Sequence, residues 1–151
     1  MNITISKIEY SFSIHATEDF DKNMEALENL IPEDLINQIE LIIEELEGGY
    51  GNPVEYVIVA FNKSKIIAKI FDSLVTIFSE SQKKLLYAEF EERFNADKKS
   101  FHIRIDKQAI FNNKITISSS TDIIKIEIKL RSYVKDVDFK QFLVDKGLLL
   151  V

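Results

Sequence analysis

The sequence predicts an α+β fold in which helices pack on a mixed, mostly antiparallel sheet, and three observations support this prediction. Apolar and polar residues alternate near the start of the chain, as is typical of a half-buried strand. Apolar residues spaced three and four apart follow in several stretches and indicate amphipathic helices. The last third is rich in alternating segments again. The predicted element order is β-αα-β-αα-βββ-α.

The first 61 residues are predicted to form two strands with two helices between them. The first strand runs from Ile3 to Ile14. A cap and negative charge for a helix are supplied by Thr17, Glu18 and Asp19. Pro32 begins a second predicted helix with an apolar stripe at helical spacing, formed by Leu35, Ile39, Ile42, Ile43 and Leu46. Pro53 then begins a strand, VEYVIVAF, in which both faces are largely apolar.

The rest of the chain is predicted to hold two helices, three strands and a short last helix. The helices are Ser64–Phe78 and Glu80–Phe94, and the last one covers Val137–Asp145. Asn112-Asn113 suits a type I′ hairpin turn between two of the strands. With that turn, the even-numbered residues at the end of the incoming strand would face the core, although its odd-numbered residues face the core at the start. A β-bulge at Asp106–Gln108 would resolve this conflict, and a longer loop is the alternative.

Composition indicates one domain over residues 1–151 of an ordinary globular protein. The chain has 46% apolar and 29% charged residues and no cysteine, which excludes disulfides and thiolate metal sites. It shows no signal sequence and no apolar stretch long enough to cross a bilayer, so we expect a cytoplasmic protein without membrane contact. Abundant Ile, Lys and Glu suit a thermophilic source.

Charge is distributed unevenly along the chain, although the net charge is −6. Residues 1–61 carry two Lys against thirteen Asp/Glu, whereas residues 98–151 carry eleven Lys/Arg against six Asp/Glu. A basic last third on an acidic protein points to a polyanionic partner. The alternative is that the two halves form surface ion pairs that favour thermal stability.

Two polar segments have both a functional and a structural interpretation. The stretch GGYGNP, Gly48–Pro53, could bind an anion through its backbone amides. It follows a predicted helix C-terminus, however, where glycine commonly ends a helix. His15, Glu18 and Asp19 could form a metal or acid–base cluster, or they could simply cap the following helix.

The sequence contains no serine-triad grouping, no nucleotide-binding glycine motif and no zinc-ligand spacing, so we predict a protein that is not an enzyme and has neither cofactor nor metal. The polar face of the late strands instead presents a series of basic side chains, which could contact phosphates or could simply be solvated. This face lacks an aromatic platform for base stacking. Its residues are His102, Arg104, Lys125, Lys129 and Arg131.

Three segments resemble an archaeal family described as predicted exosome-associated RNA-binding proteins. They are SIHATED, EGGYGNPVE and RIDKQAIFNNKITI, and their order and spacing extend the resemblance over nearly the whole chain. The resemblance implies the fold of the large-subunit ribosomal protein that binds 5S rRNA, and a role with RNA. Two positions depart from the family, which often carries histidine at Gly49 and glycine at Asn113.

The resemblance and the charge pattern together predict a noncatalytic RNA-binding protein, accessory to RNA processing or the exosome, with RNA-processing proteins as partners. The expected RNA is structured and is recognised through phosphates and shape. The alternative is a protein-interaction or oligomerisation subunit without RNA contact, and a homodimer stays open. The full predicted RNA site comprises His15, Tyr50, Asn52, His102, Arg104, Lys107, Gln108, Lys125, Lys129 and Arg131.

Overall fold

A computed structural model describes residues 2–47 and 53–151, with only the backbone at Glu47. The α+β class is confirmed, with helices and a six-stranded sheet. The chain divides into two compact units. Unit 1 comprises Met1–Ile8, Phe61–Ile103 and Glu127–Val151, and unit 2 comprises Glu9–Ala60 and Arg104–Ile126.

The strands follow the order β2-β3-β1-β6-β5-β4 across the sheet. Both β2–β3 and β4–β5 are antiparallel pairs. The bounds of the strands are β1 Ile3–His15, β2 Leu41–Glu47, β3 Pro53–Phe61, β4 Phe94–Asn95, β5 Ser100–Asp106 and β6 Ile123–Ser132. The predicted strands at Ile3–Ile14 and from Pro53 are therefore confirmed.

The helices are short except for α2, which fits its predicted range within one residue. Asp19 is the N-cap of α1 and accepts a hydrogen bond from Asp21 N, as its position in the sequence indicates. Asp138 caps α6 in the same way. The bounds are α1 Phe20–Glu28, α2 Ser64–Ile77, α3 Glu80–Ala88, α4 Phe90–Arg93, α5 Lys107–Phe111 and α6 Phe139–Asp145, with a 3₁₀ helix at Glu33–Gln38.

The helix predicted to begin at Pro32 is wrong beyond its first turns. Only Glu33–Gln38 is helical, and Leu41–Glu47 forms β2, which pairs along its full length with β3. Of the apolar stripe that suggested a helix, Leu35 is buried within the short 3₁₀ helix, whereas Ile42, Ile43 and Leu46 are exposed. Pairing of an Ile-rich segment with β3 has overridden the helical spacing.

Two further predictions of the last third need correction. Glu89 leaves helical geometry, so the predicted helix Glu80–Phe94 is divided into α3 and α4 and ends in β4. The expected bulge at Asp106–Gln108 is instead the start of α5, capped by the Asp106 carboxylate. The chain then meets β5 through one bridge, Ile105 to Ile117, and not through a full hairpin.

Each unit has its own buried apolar side chains. In unit 2 these include Tyr10, Leu27 and Leu35, and in unit 1 they include Ile70, Leu74 and Phe101. Among the described residues, no helix has both the length and the apolar character needed to span a bilayer.

Candidate nucleic-acid interface

The alternation predicted for β6 is confirmed. Ile124, Ile126, Ile128 and Leu130 are buried, and the residues between them face the other way. On that second face, Lys125 and Glu127 are half-buried, whereas Lys129 and Arg131 are exposed. The accessible cations of β6 therefore lie toward its C-terminal end.

Lys107, one of the predicted RNA contacts, is buried in unit 2. Its side chain is 1% exposed, and α5 begins at this residue. The ammonium has three acceptors at 3.0 Å, which are the Ser13 carbonyl oxygen, Glu18 Oε2 and Asp122 Oδ1. Since an ammonium has three N–H donors, these contacts use its full capacity. The prediction that Lys107 binds phosphate is corrected to a structural role by this geometry.

The two carboxylates around Lys107 are held in their charged form. Burial raises the pKa of Glu18, but hydrogen bonds from His15 N and from the Lys107 ammonium outweigh it, and the pKa is lowered. The pKa of Asp122 is lowered in the same way: burial opposes this shift, and hydrogen bonds from Gln108 and Lys107 produce it. The arrangement is an ion cluster of one buried ammonium and two carboxylates, and its contacts leave no N–H of the ammonium for an external phosphate.

The remaining predicted contacts in unit 2 differ in their exposure and in the hydrogen bonds that their side chains already make within the protein. The Arg104 guanidinium donates to the Ser120 carbonyl oxygen at 2.9 Å, and its side chain is half-buried. Gln108 is exposed but donates its amide to Asp122 at 2.9 Å. His15 is exposed at the end of β1. Tyr50 and Asn52, together with the rest of Gly48–Asn52, lie outside the described residues.

The acid–base cluster considered at His15, Glu18 and Asp19 consists of residues that stabilise local structure. Glu18 bonds the His15 backbone and Lys107, while Asp19 caps α1. A cavity of about 490 Å³ lies between α1 and α5, and its wall includes Glu18, Asp19 and Glu25 but only one cation, Lys22. This charge does not suit a phosphate. In residues 2–47 and 53–151, no three His, Asp or Glu side chains are grouped so as to hold a metal ion.

His102 lies in unit 1 on the polar face of β5 and is half-buried. Its Nε2 is 3.2 Å from the Ser100 hydroxyl, and its Nδ1 is 4.0 Å from Glu127. Both ring nitrogens therefore face neighbouring polar groups, so His102 is not a simply solvated side chain.

Four exposed cations of unit 1 lie near one another, and two of them were not predicted. The backbone N–H of Leu130 donates to the Lys99 carbonyl oxygen at 2.8 Å, which sets Lys99 beside the segment Lys129–Arg131. Lys98 precedes it in the turn between β4 and β5, and Asn95 accepts from its backbone. We call Lys98, Lys99, Lys129 and Arg131 the β6 cation group. The adjacent pair Lys98-Lys99 just before a strand was the available sequence signal.

The two units differ in charge. Unit 1 carries fourteen Lys/Arg and ten Asp/Glu, whereas unit 2 carries five Lys/Arg and fifteen Asp/Glu. Within the described part of unit 1, the ion pairs of Lys84, Arg93 and Lys140 involve residues outside the β6 cation group. A polyanion is therefore attracted to unit 1 more than to unit 2.

The chain is similar in sequence and in fold to several archaeal proteins. RNA-binding protein PAB1135 of Pyrococcus abyssi is 35% identical over 121 residues, which cover 80% of this chain and 78% of that protein. The uncharacterized protein MJ0213 of Methanocaldococcus jannaschii is 30% identical over 122 residues, covering 80% and 81%. The crystal structure of protein AF2318 from Archaeglobus fulgidus has a TM-score of 0.82 and 30% identity, covering 95% of this chain and 99% of that one.

A family model described as RNA binding matches residues 7–130, which is most of the chain. The matched range contains most of β1 and continues through nearly all of β6, and it includes Lys98, Lys99 and Lys129 of the β6 cation group, while Arg131 directly follows it. Taken with the archaeal homologues, this match shows that the chain belongs to the RNA binding family.

Proposed function

We propose that this chain is a noncatalytic RNA-binding protein that contacts the RNA backbone with the β6 cation group. Membership of a family described as RNA binding supports the ligand class. The observation that carries the location is the Lys99–Leu130 backbone bond, because it brings exposed cations from two segments together. Lys129 and Arg131 belong to the site predicted from sequence, and Lys98 and Lys99 extend it.

The other predicted contacts have smaller parts in this proposal. Arg104, Lys125 and His102 are half-buried, and their accessible edges would add contacts to RNA at the periphery. His15 and Gln108 are exposed at positions where they could do the same. Lys107 is excluded as a direct contact because its ammonium is saturated.

The test is the salt dependence of binding to a fluorescein-labelled 20-nucleotide unstructured RNA, followed by anisotropy. The variant replaces Lys98, Lys99, Lys129 and Arg131 by Gln. Its affinity should fall, and the slope of log affinity against log salt should become shallower by roughly 3, since each lost phosphate contact on a single strand removes about 0.7.

A matched control replaces four other exposed lysines of unit 1 by Gln, namely Lys63, Lys65, Lys84 and Lys146. Both variants change the net charge by the same amount, so a nonspecific charge effect would weaken them equally. The proposal is overturned if the two variants bind alike, or if the wild-type slope survives in the first variant. Circular dichroism confirms that each variant is folded.

The resemblance to exosome-associated proteins extends this proposal to a cellular role. We place the protein as a cytoplasmic accessory to RNA processing in a thermophilic archaeon, with the exosome as a partner and a fold related to the 5S-rRNA-binding ribosomal protein. Affinity purification with nuclease treatment tests the association. If exosome subunits remain bound after the RNA is digested, the contact is direct; if they are absent before digestion, the partnership is refuted.

A second candidate function, docking of a protein partner, is favoured by β2. This strand is at the edge of the sheet. Leu41, Ile42, Ile43 and Leu46 are between 41% and 54% exposed, so apolar side chains are accessible on both faces. An exposed apolar edge strand is a template for another strand.

Charge identifies the kind of strand that fits β2. Glu40, Glu44 and Glu45 are exposed among the apolar residues. A second copy would place acidic residues of both strands in one ribbon, and like charges across strands are destabilising. We therefore assign β2 to an extended, basic segment of a protein partner with alternating apolar and cationic residues.

A labelled, terminally blocked peptide KVKVKVK is the probe, and EVEVEVE is its matched control. The basic peptide should bind saturably and should slow hydrogen exchange of the Leu41–Glu47 amides. The double variant Glu44→Lys, Glu45→Lys should lose both the binding and the slower exchange. Equal behaviour of the two peptides contradicts the assignment. A stable dimer in light scattering would also contradict it, because a second copy would then be the occupant.

A further inference from the structure

Tyr133 is a large aromatic side chain that the fold leaves in solvent. It directly follows β6 and is 76% exposed. Lys129 and Arg131 are exposed while Leu130 between them is buried. Tyr133 lies two residues after Arg131, in the bend that follows β6, so its exposed ring is a near neighbour of these cations along the chain.

The backbone around Tyr133 is fixed although its ring is free. Tyr133 N donates to the Asn2 carbonyl oxygen at 3.3 Å. The Ser132 hydroxyl donates to the Val134 carbonyl oxygen at 2.6 Å and also accepts from Val134 N at 3.2 Å. A ring on an ordered backbone loses little conformational entropy when it contacts a ligand.

An exposed ring beside cations has the two properties of a single-strand RNA site. Cations hold phosphates without regard to base pairing, whereas an aromatic ring offers a surface on which an unpaired base can stack. The faces of bases inside a duplex are already covered by neighbouring pairs. The ring therefore adds a preference that the charges alone do not give, and it supplies the aromatic platform that the sequence alone did not reveal.

We propose that Tyr133 stacks on an unpaired base while the β6 cation group holds the flanking phosphates, so that the ligand is single-stranded RNA and not a regular duplex. The inference rests on the proposed RNA-binding function and adds the class of RNA to it. It differs in this respect from the structured RNA that the sequence led us to expect.

The experiment measures anisotropy of a 12-nucleotide single-stranded RNA and of a 12-base-pair RNA duplex with wild type, Tyr133→Ala and Tyr133→Phe. Tyr133→Ala should weaken single-strand binding about fivefold or more. Fivefold corresponds to the lower end of the stabilisation expected from stacking one base. Tyr133→Phe should keep the wild-type affinity, because the ring remains. Duplex binding should be the same for all three proteins.

RNAs with a single abasic position, scanned along the strand, provide a second readout that keeps every phosphate. At the stacked position, the missing base should weaken wild-type binding by the same factor as Tyr133→Ala, with no further loss when both changes are combined. If the affinity losses from the abasic position and from Tyr133→Ala multiply at every position along the RNA, the two changes act independently and the stacking assignment is overturned.

The outcomes separate the two levels of the proposal. If the four-cation variant binds RNA like wild type, the proposed RNA site itself fails. If that variant loses affinity but Tyr133→Ala does not, or if Tyr133→Ala weakens duplex and single strand equally, only the inference about Tyr133 is overturned.

Discussion

Lys107 stabilises unit 2 from within and does not offer its charge to solvent. A buried ammonium is costly unless its charge and its N–H donors are all satisfied. Glu18 and Asp122 supply the charge, and the Ser13 carbonyl oxygen supplies the third acceptor. The cluster ties α5 to the end of β1 and to the segment before β6 within the same unit.

Replacing Lys107 by Met should lower the free energy of unfolding by about 3 kcal/mol or more, because both carboxylates then lose their buried partner. Lys129→Met is the matched control, and since that side chain is exposed it should change stability by less than about 0.5 kcal/mol. Urea unfolding followed by circular dichroism measures both. Similar values for the two variants would show that the Lys107 cluster contributes little.

The same cluster should make stability depend on acid pH. The pKa values of Glu18 and Asp122 are lowered in the folded protein from their ordinary values of 4.5 and 3.8. Their contribution is therefore complete above those values and is lost as the pH falls through the lowered, folded values. Thermal melts between pH 6 and pH 3 should show a shallower loss for Glu18→Gln than for wild type. An identical pH profile would contradict this.

At the scale of elements, α5 shows how a short helix resolves a conflict in strand pattern. The Asp106 side chain accepts from Ala109 N to begin the helix. At its end, Asn113 takes a left-handed φ of 59°, and Asn113 N and Lys114 N donate to the Ile110 and Ala109 carbonyl oxygens. A five-residue helix, and not a one-residue bulge, thus redirects the chain.

Asn113 can be tested by substitutions that differ in their tolerance of positive φ. Asn113→Gly should keep stability within about 0.5 kcal/mol of wild type, whereas Asn113→Val should lower it by about 1–2 kcal/mol, the cost of a left-handed conformation for a residue with a Cβ. Chemical denaturation of the two variants is the measurement. Equal stability of Gly and Val variants would rule out this strain.

The success of the sequence predictions differed between elements for a physical reason. In α2, Ile67, Ile70, Phe71 and Leu74 have helical spacing and are buried, so pattern and packing agree. In β2, the spacing of the apolar residues was equally helical, but pairing with β3 decided the conformation. The spacing of apolar residues predicts an element correctly only when the apolar face packs against the core. Hydrogen bonding to another strand cannot be seen in that local spacing.

At the scale of the whole molecule, the net charge of −6 conceals two units of opposite character. Unit 2 holds fifteen of the 25 acidic residues, and unit 1 holds fourteen of the nineteen basic ones. Because exposed charges act over only about a Debye length, local charge and not the net value governs where RNA binds.

Neutralising acids of unit 2 should therefore have a weak and salt-sensitive effect on RNA affinity. Glu40→Gln, Glu44→Gln and Glu45→Gln together should strengthen binding less than tenfold at low salt, with no effect near 1 M, where the Debye length is about 3 Å. Anisotropy titrations at two salt concentrations check this. A larger gain that persists at high salt would indicate that β2 itself contacts RNA.

The sequence by itself determined the α+β class, a cap at the start of α1, helix α2 and the alternating faces of β6, because each depends on residues close in the chain. It also identified Lys129 and Arg131 as candidate contacts. Only the tertiary structure decided that Lys107 is buried, that Lys99 lies beside Leu130, and that Leu41–Glu47 is an edge strand. Those outcomes depend on partners from 6 to 94 positions away, which come together only when the segments that carry them pair and pack.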